Sequence, residues 1–210
     1  MYTPAKFQNT DIADIENIID NHSFGTLISS SGSELEANHL PLMLRRDGSK
    51  NYLIGHIAKS NSIWETLQEK AKVLVIFQGL DSYISPSYYP SKTTTGRVVP
   101  TWNYVVIHVK GVISFIHDRN WLGRMVDALV EKYESSRKAP WTAAEAPASY
   151  IETMLDGIVG LEIEILSMQG KWKLSQNQSA QDRDGVMTGL AEESDIRAHQ
   201  MAEFMQKFYL

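Results

Sequence analysis

A chain of 210 residues with 43% hydrophobic and 21% charged side chains is long enough to bury a core and lies outside the disordered and fibrous classes. It has no cysteine, which excludes disulfides, thiol nucleophiles and thiolate-held zinc together. A net charge of −5 argues against a broad basic surface that would neutralise DNA phosphates.

Residues 11–22 place Ile12, Ile15, Ile18 and Ile19 at helical spacing, with Thr10 or Asp11 as the cap. Residues 24–29 and 35–44 read as two strands joined by a small-residue turn. Asp47-Gly48 then predicts a hairpin into a third strand over 51–58, giving an antiparallel meander. Lys59-Ser60-Asn61 leads into a short helix over 62–70; Ser60, Asn61 and Ser62 are common caps, and the same turn could cradle a phosphate with Lys59. The near-continuous apolar run 72–77 suits a strand covered on both faces.

Prolines in 83–90 predict an edge segment and 91–96 a polar loop. A strand is expected from 98 to 116, bent or bulged at Gly111. In its first half, Thr101 and Asn103 point to one side while Trp102 and Tyr104 point to the other. That mixture suits either a barrel interior or contact with a flat polar ligand. Asp118 caps a helix with Trp121, Leu122, Met125, Leu129 and Tyr133 inward, and residues 137–147 form a flexible connection. Ser149 and Glu152 have capping-box spacing. The strand expected over 158–168 turns at Gln169-Gly170 into Lys171-Trp172-Lys173-Leu174-Ser175-Gln176-Asn177, a second donor-rich segment around a tryptophan. The C-terminal part, about 182–210, is helical.

These strands and inserted helices imply a single mainly β, α+β domain over 1–210, a barrel or sandwich with helices packed outside it. No run of about 20 apolar residues suits a membrane span. The N-terminus lacks the apolar core of a secretory signal, so a cytoplasmic protein is expected. The six histidines show no ligand spacing, so no metal site is expected. No Gly-rich dinucleotide fingerprint is present, and no helix-turn-helix pair with a basic second helix.

Six segments in one order carry a resemblance: Met1-Tyr2-Thr3-Pro4, Leu40-Pro41-Leu42, Gly55-His56-Ile57-Ala58, Tyr83-Ile84-Ser85-Pro86, Val99-Pro100-Thr101-Trp102-Asn103-Tyr104 and Gly170 through Asn177. Together they resemble the PaiB family of FMN-binding transcriptional regulators, over Met1 to about Leu190. The resemblance implies an FMN-binding split β-barrel similar to pyridoxamine-phosphate oxidase, a homodimer with flavin at its interface. It implies that Lys59, Ser60 and Asn61 hold the flavin phosphate and that His56 and Ile57 line the isoalloxazine. Thr101, Trp102 and Asn103 would contact the ring or ribityl chain, with Lys171, Trp172, Lys173 and Ser175 reaching the site. Two departures stand out: Gly79-Leu80-Asp81 where Gly-Pro-His is expected, and Gln178 where arginine is commoner. Glutamine lacks the bidentate fork of arginine, which weakens a phosphate contact.

The function expected is that of an FMN-binding homodimer and negative regulator of transcription. DNA is a weakly supported partner given the acidic charge. The alternative is a flavin-dependent oxidoreductase, or a haem-handling protein, on the same barrel without DNA binding.

Overall fold

A computed structural model describes residues 1–210. Helix α1 (Ile12–Asn21) forms where the isoleucine spacing predicts it, with the Asp11 carboxylate accepting from the N–H groups of Ala13 at 2.8 Å and Asp14 at 3.1 Å. Ile15, Ile18 and Ile19 are buried, whereas Ile12 is exposed.

Strand β1 is only Gln8–Asn9; β2 (Phe24–Ser31) and β3 (Glu34–Pro41) pair antiparallel, as do β4 (Met43–Asp47) and β5 (Lys50–Ala58). The expected strand 35–44 is therefore two strands. The break falls at Leu42, whose side chain is fully buried and whose N–H donates to the Ser23 carbonyl at 2.9 Å, so the chain leaves one ladder before joining another. The meander does not form: β3–β2 and β5–β4 stand at opposite ends of the strand order β3-β2-β6-β7-β8-β5-β4, with β1 added to β8. Here β6 is Lys72–Ile84, β7 is Thr101–Ile116 and β8 is Ile158–Lys173.

Strand β6 runs past the expected end at 77, and Val73, Val75 and Phe77 alternate with less buried neighbours, so only one face is fully covered there. It stops before Pro86, which cannot donate to a ladder. Ser85 accepts from the Ser87 N–H at 3.2 Å and opens a 3-10 turn, Pro86–Tyr88. The expected loop 91–96 is instead a short helix, α3 (Ser91–Thr95), closed by Gly96 in the left-handed region. Strand β7 begins after Pro100, not at 98. Gly111 lies inside it, and a Cβ there would sit 2.5 Å from both the Glu164 carbonyl oxygen and Ile163 Cγ2. The missing side chain lets β8 approach.

Between β5 and β6 lies α2, a single turn at Ile63–Thr66. Asp118 caps α4 (Arg119–Glu134) by accepting from the Trp121 N–H at 2.7 Å. The Ser149–Glu152 capping box does not form, because Pro147 opens α5 (Ala148–Asp156) and leaves Ser149 inside its first turn; the reciprocal box joins Thr142 and Glu145 instead. Strand β8 does not turn at Gln169-Gly170: Gly170 pairs with Asn9 and Lys171 with Gln8, so the strand continues to Lys173. Helices α6 (Ala180–Ala191) and α7 (Ile196–Tyr209) complete the helical C-terminal part. No helix is long and apolar enough to cross a membrane.

Two compact units contain these elements. Unit 1 comprises Met1–Ile18, Gln78–His108 and Gln169–Leu210. Within it Val186, Leu190, Met201 and Met205 bury the facing stripes of α6 and α7. A Cβ at Gly189 would lie 2.2 Å from the Tyr88 ring, so glycine allows α6 to press on that residue. Unit 2 comprises Ile19–Phe77 and Val109–Met168. Its α4 face, Leu122, Met125 and Leu129, packs with Met43 and Ile54, each such side chain contributing about 1.5–3 kcal/mol on burial.

Because the Gly111 contact is with backbone, Gly111→Ala is expected to lower stability by about 1–3 kcal/mol. A reduced urea midpoint at unchanged slope would report it; an unchanged midpoint would show that β8 yields.

Candidate functional site

In unit 1 the start of β7 and the end of β8 bring five of the expected residues together. The Lys173 ammonium donates to the Thr101 hydroxyl at 2.6 Å and also to the Trp102 carbonyl. One step further in, Asn103 is fully buried and donates to Ser175 Oγ at 3.0 Å and to Met205 Sδ at 3.3 Å, while the Ser175 hydroxyl faces Asn103 Oδ1 at 3.2 Å. Ser175 has φ 67°, the left-handed region, because the chain reverses here. Gln176 braces that reversal, accepting from the Leu174 N–H at 2.7 Å and donating to the Trp172 carbonyl at 2.6 Å.

The alternation expected of the strand is present. Thr101 and Asn103 share a cleft with Lys173 and Ser175, whereas the Trp102 ring is half exposed and meets Tyr83 edge-on at 5.9 Å. Lys171 stands over the Tyr104 ring at 5.1 Å and the Tyr2 ring at 5.8 Å, and Trp172 is packed in the core. The cleft measures about 280 Å3, at the small end for ligand pockets. Its lining includes Lys6, Lys173, Asn103, Asn177 and Gln178, with no carboxylate. Burial, followed by the nearby Lys171 charge, pushes the Lys173 ammonium below the ordinary lysine pKa. Such a donor set suits an electron-rich polar ligand.

The other expected residues lie in unit 2, at the end of β5 and the turn after it. His56 is half-buried, with Nδ1 buried and lacking a hydrogen-bond partner, and burial lowers its pKa. The neighbouring Ile57 side chain is buried in the core. Lys59 and Ser60 are exposed; the Lys59 N–H donates to the Gly157 carbonyl at 2.8 Å and its carbonyl accepts from Trp64 Nε1 at 2.9 Å. The Asn61 amide is committed to the fold, accepting from the Ile63 N–H at 3.1 Å and donating to Asn38 Oδ1 at 2.6 Å. Capping thus accounts for Asn61, while the Lys59 ammonium has no ion-pair partner.

Sequence reasoning missed Lys6 and Phe7 as lining residues. They are carried to the cleft by the two-residue pairing of β1 with β8, which leaves no periodic signal. Of the two departures, Gln178 lines this cleft; Asp81 lines a different one in unit 1 with Tyr83, Tyr88 and Glu193.

Because the folded pKa of His56 is depressed, its contribution to stability is complete above the ordinary value of 6.5 and is lost as pH falls through the lowered value. Stability from urea unfolding is expected to fall between pH 7 and pH 5, and less steeply in His56→Gln. The residual slope belongs to His22, lowered by burial in the same direction. Identical slopes in both proteins would contradict this.

The family described as "Putative FMN-binding domain" matches residues 1–167. "Protease synthase and sporulation protein PAI 2" of Bacillus subtilis (strain 168) is 35% identical over 206 residues, covering 98% of this chain and 97% of that protein. An uncharacterized protein of Emericella nidulans is 33% identical, covering 90% of each. Among solved structures, the flavocytochrome Anf3 from Azotobacter vinelandii aligns with a TM-score of 0.56 at 13% identity, over 85% of this chain and 75% of that one. The FAD and heme binding protein from Mycobacterium smegmatis aligns with a TM-score of 0.55 at 16% identity, over 84% and 78%. These two likenesses concern the fold alone. Sequence and architecture agree: the chain belongs to the PaiB family of FMN-binding split β-barrel proteins, with FMN as its cofactor.

Proposed function

We propose that the chain is an FMN-binding homodimer that acts as a negative regulator of transcription in the cytoplasm. The observation that carries the flavin reading is the carboxylate-free cleft in which Lys173 is held by Thr101 and the Trp102 carbonyl. Thr101, Asn103, Lys173 and Ser175 offer hydroxyl, amide and ammonium groups to the ring edge or ribityl chain, and Trp102 takes part through the carbonyl that holds Lys173, its ring facing Tyr83 on the other side of the strand. Lys171 and Trp172 support that strand end. At the unit 2 turn Lys59 and Ser60 supply charge and a hydroxyl for the phosphate, Asn61 holds the turn, and His56 and Ile57 belong to the strand beside the isoalloxazine. FMN, when bound, supplies a reversible electron acceptor. The regulatory part is supported by the Bacillus subtilis relative, whose name joins it to protease synthesis and sporulation.

The lowered pKa of Lys173 favours a second reading, a flavin-dependent oxidoreductase in which that ammonium gives up a proton near the ring. A haem-handling role rests only on how fold neighbours are described. Reduction of the FMN-loaded protein by NADPH in stopped flow separates an enzyme from a sensor.

Titration with FMN, followed by flavin fluorescence, tests the cofactor contacts. Lys173→Met is expected to weaken binding at least about tenfold, since a hydrogen bond from a charged donor contributes about 1.5–3 kcal/mol. Lys59→Met should weaken FMN binding but not riboflavin binding, because riboflavin lacks the phosphate. Equal loss for both ligands would remove Lys59 from the phosphate role, and full affinity in Lys173→Met would remove the cleft.

For the regulatory part, FMN-loaded protein is expected to have the mass of two chains in light scattering. It should also retard promoter DNA at nanomolar concentration in a sequence-dependent way. Retardation confined to low salt and indifferent to sequence would count against regulation, because α7 carries only Arg197 and Lys207 as lysine or arginine cations.

A further inference from the structure

Unit 2 contains a cleft of about 360 Å3 that takes no part in the flavin reading. Its floor is Met43, Ile54 and Met125, all buried members of the cluster that packs α4 on the β4–β5 hairpin, with Trp121 beside them. The opening therefore leads onto packed core, where an apolar surface is kept in contact with solvent at a cost of about 25 cal/mol per Å2. Charge at the opening has one sign: Arg45 and Arg124 line it, and no carboxylate does.

The two arginines are differently engaged. Arg45 reaches Glu162 at 2.7 Å and Asp47 at 3.9 Å through Nη2, and its guanidinium lies 4.9 Å from the Tyr52 ring centroid. Its Nε is nevertheless buried without a hydrogen-bond acceptor. Buried donors are almost always satisfied, and an unmet one costs about 1–3 kcal/mol. Arg124 is exposed on α4 and has neither ion pair nor hydrogen bond.

We propose that this cleft binds a small organic carboxylate with an apolar body. The carboxylate accepts from Arg124, with the Arg45 guanidinium adding positive charge at the same opening, and the body lies on the thioethers of Met43 and Met125 and the indole of Trp121. A planar carboxylate matches a guanidinium fork, and methionine adapts to bodies of different outline. The apolar floor disfavours a ligand charged at both ends.

Isothermal titration of the full chain with octanoate and with 2-naphthoate tests this, with 1-octanol as the neutral control. At least one carboxylate is expected to bind about tenfold or more tightly than octanol. Arg124→Met, a change on the exposed side of α4, should weaken that binding about tenfold while leaving FMN affinity unchanged. Ala128→Phe, at an exposed lining position, should abolish it by filling the cleft, with circular dichroism verifying the fold. Silence from both carboxylates at millimolar concentration overturns the proposal, as does equal affinity for octanol or an unaffected Arg124→Met. If Ala128→Phe halves the mass in solution and no carboxylate binds the unaltered chain, the cleft belongs to a second copy and the proposal fails.

Discussion

One ammonium group sets the geometry of the unit 1 cleft. Lys173 closes the end of β8 onto the start of β7 by donating to a hydroxyl and to a backbone carbonyl immediately after Pro100. With that end fixed, Asn103 and Ser175 come opposite one another and satisfy each other away from water. The depressed pKa of Lys173 reflects its partial removal from solvent beside another lysine. An exposed lysine could not position the neighbouring groups as tightly, because its side chain would keep its rotamer freedom.

Helices were legible where apolar spacing and a cap coincided: α1 with Asp11 and α4 with Asp118. Strand limits were less so, because what ends or continues a strand is often its partner. Nothing local in 35–44 announces that Leu42 will be buried between two ladders, and Gly170 reads as a turn until Asn9 is seen paired across from it. The site residues were legible as two strings, 101–103 and 171–175, each with donors beside an aromatic. Their meeting depends on β7 and β8 being neighbours in the sheet, a long-range fact. Lys6 and Phe7 reach the same cleft through a pairing too short to have a period.

The acidic total of −5 is a poor guide to local electrostatics. Many carboxylates are paired: Glu162 with Arg45, Glu164 with Lys50 and Asp20 with Lys132. Pairs at or near the surface like these contribute little to stability, about 1 kcal/mol or less each. Their effect is to hold negative charge at defined places, and neither the Lys173 cleft nor the Arg124 cleft is lined by any. Both therefore present donors to solvent within a protein that is negative overall.

The backbone at Ser175 asks for glycine, since a left-handed φ of 67° costs an ordinary residue about 1–2 kcal/mol. The Asn103 amide asks for a short hydroxyl at the same position. Glycine meets the first demand and fails the second. Threonine would meet the second, but its branched Cβ makes the first more costly. Asparagine tolerates the backbone but would crowd a residue that is already 3% exposed. The position has almost no room in sequence space, so the turn should drift among relatives far more slowly than the exposed residues on either side of it.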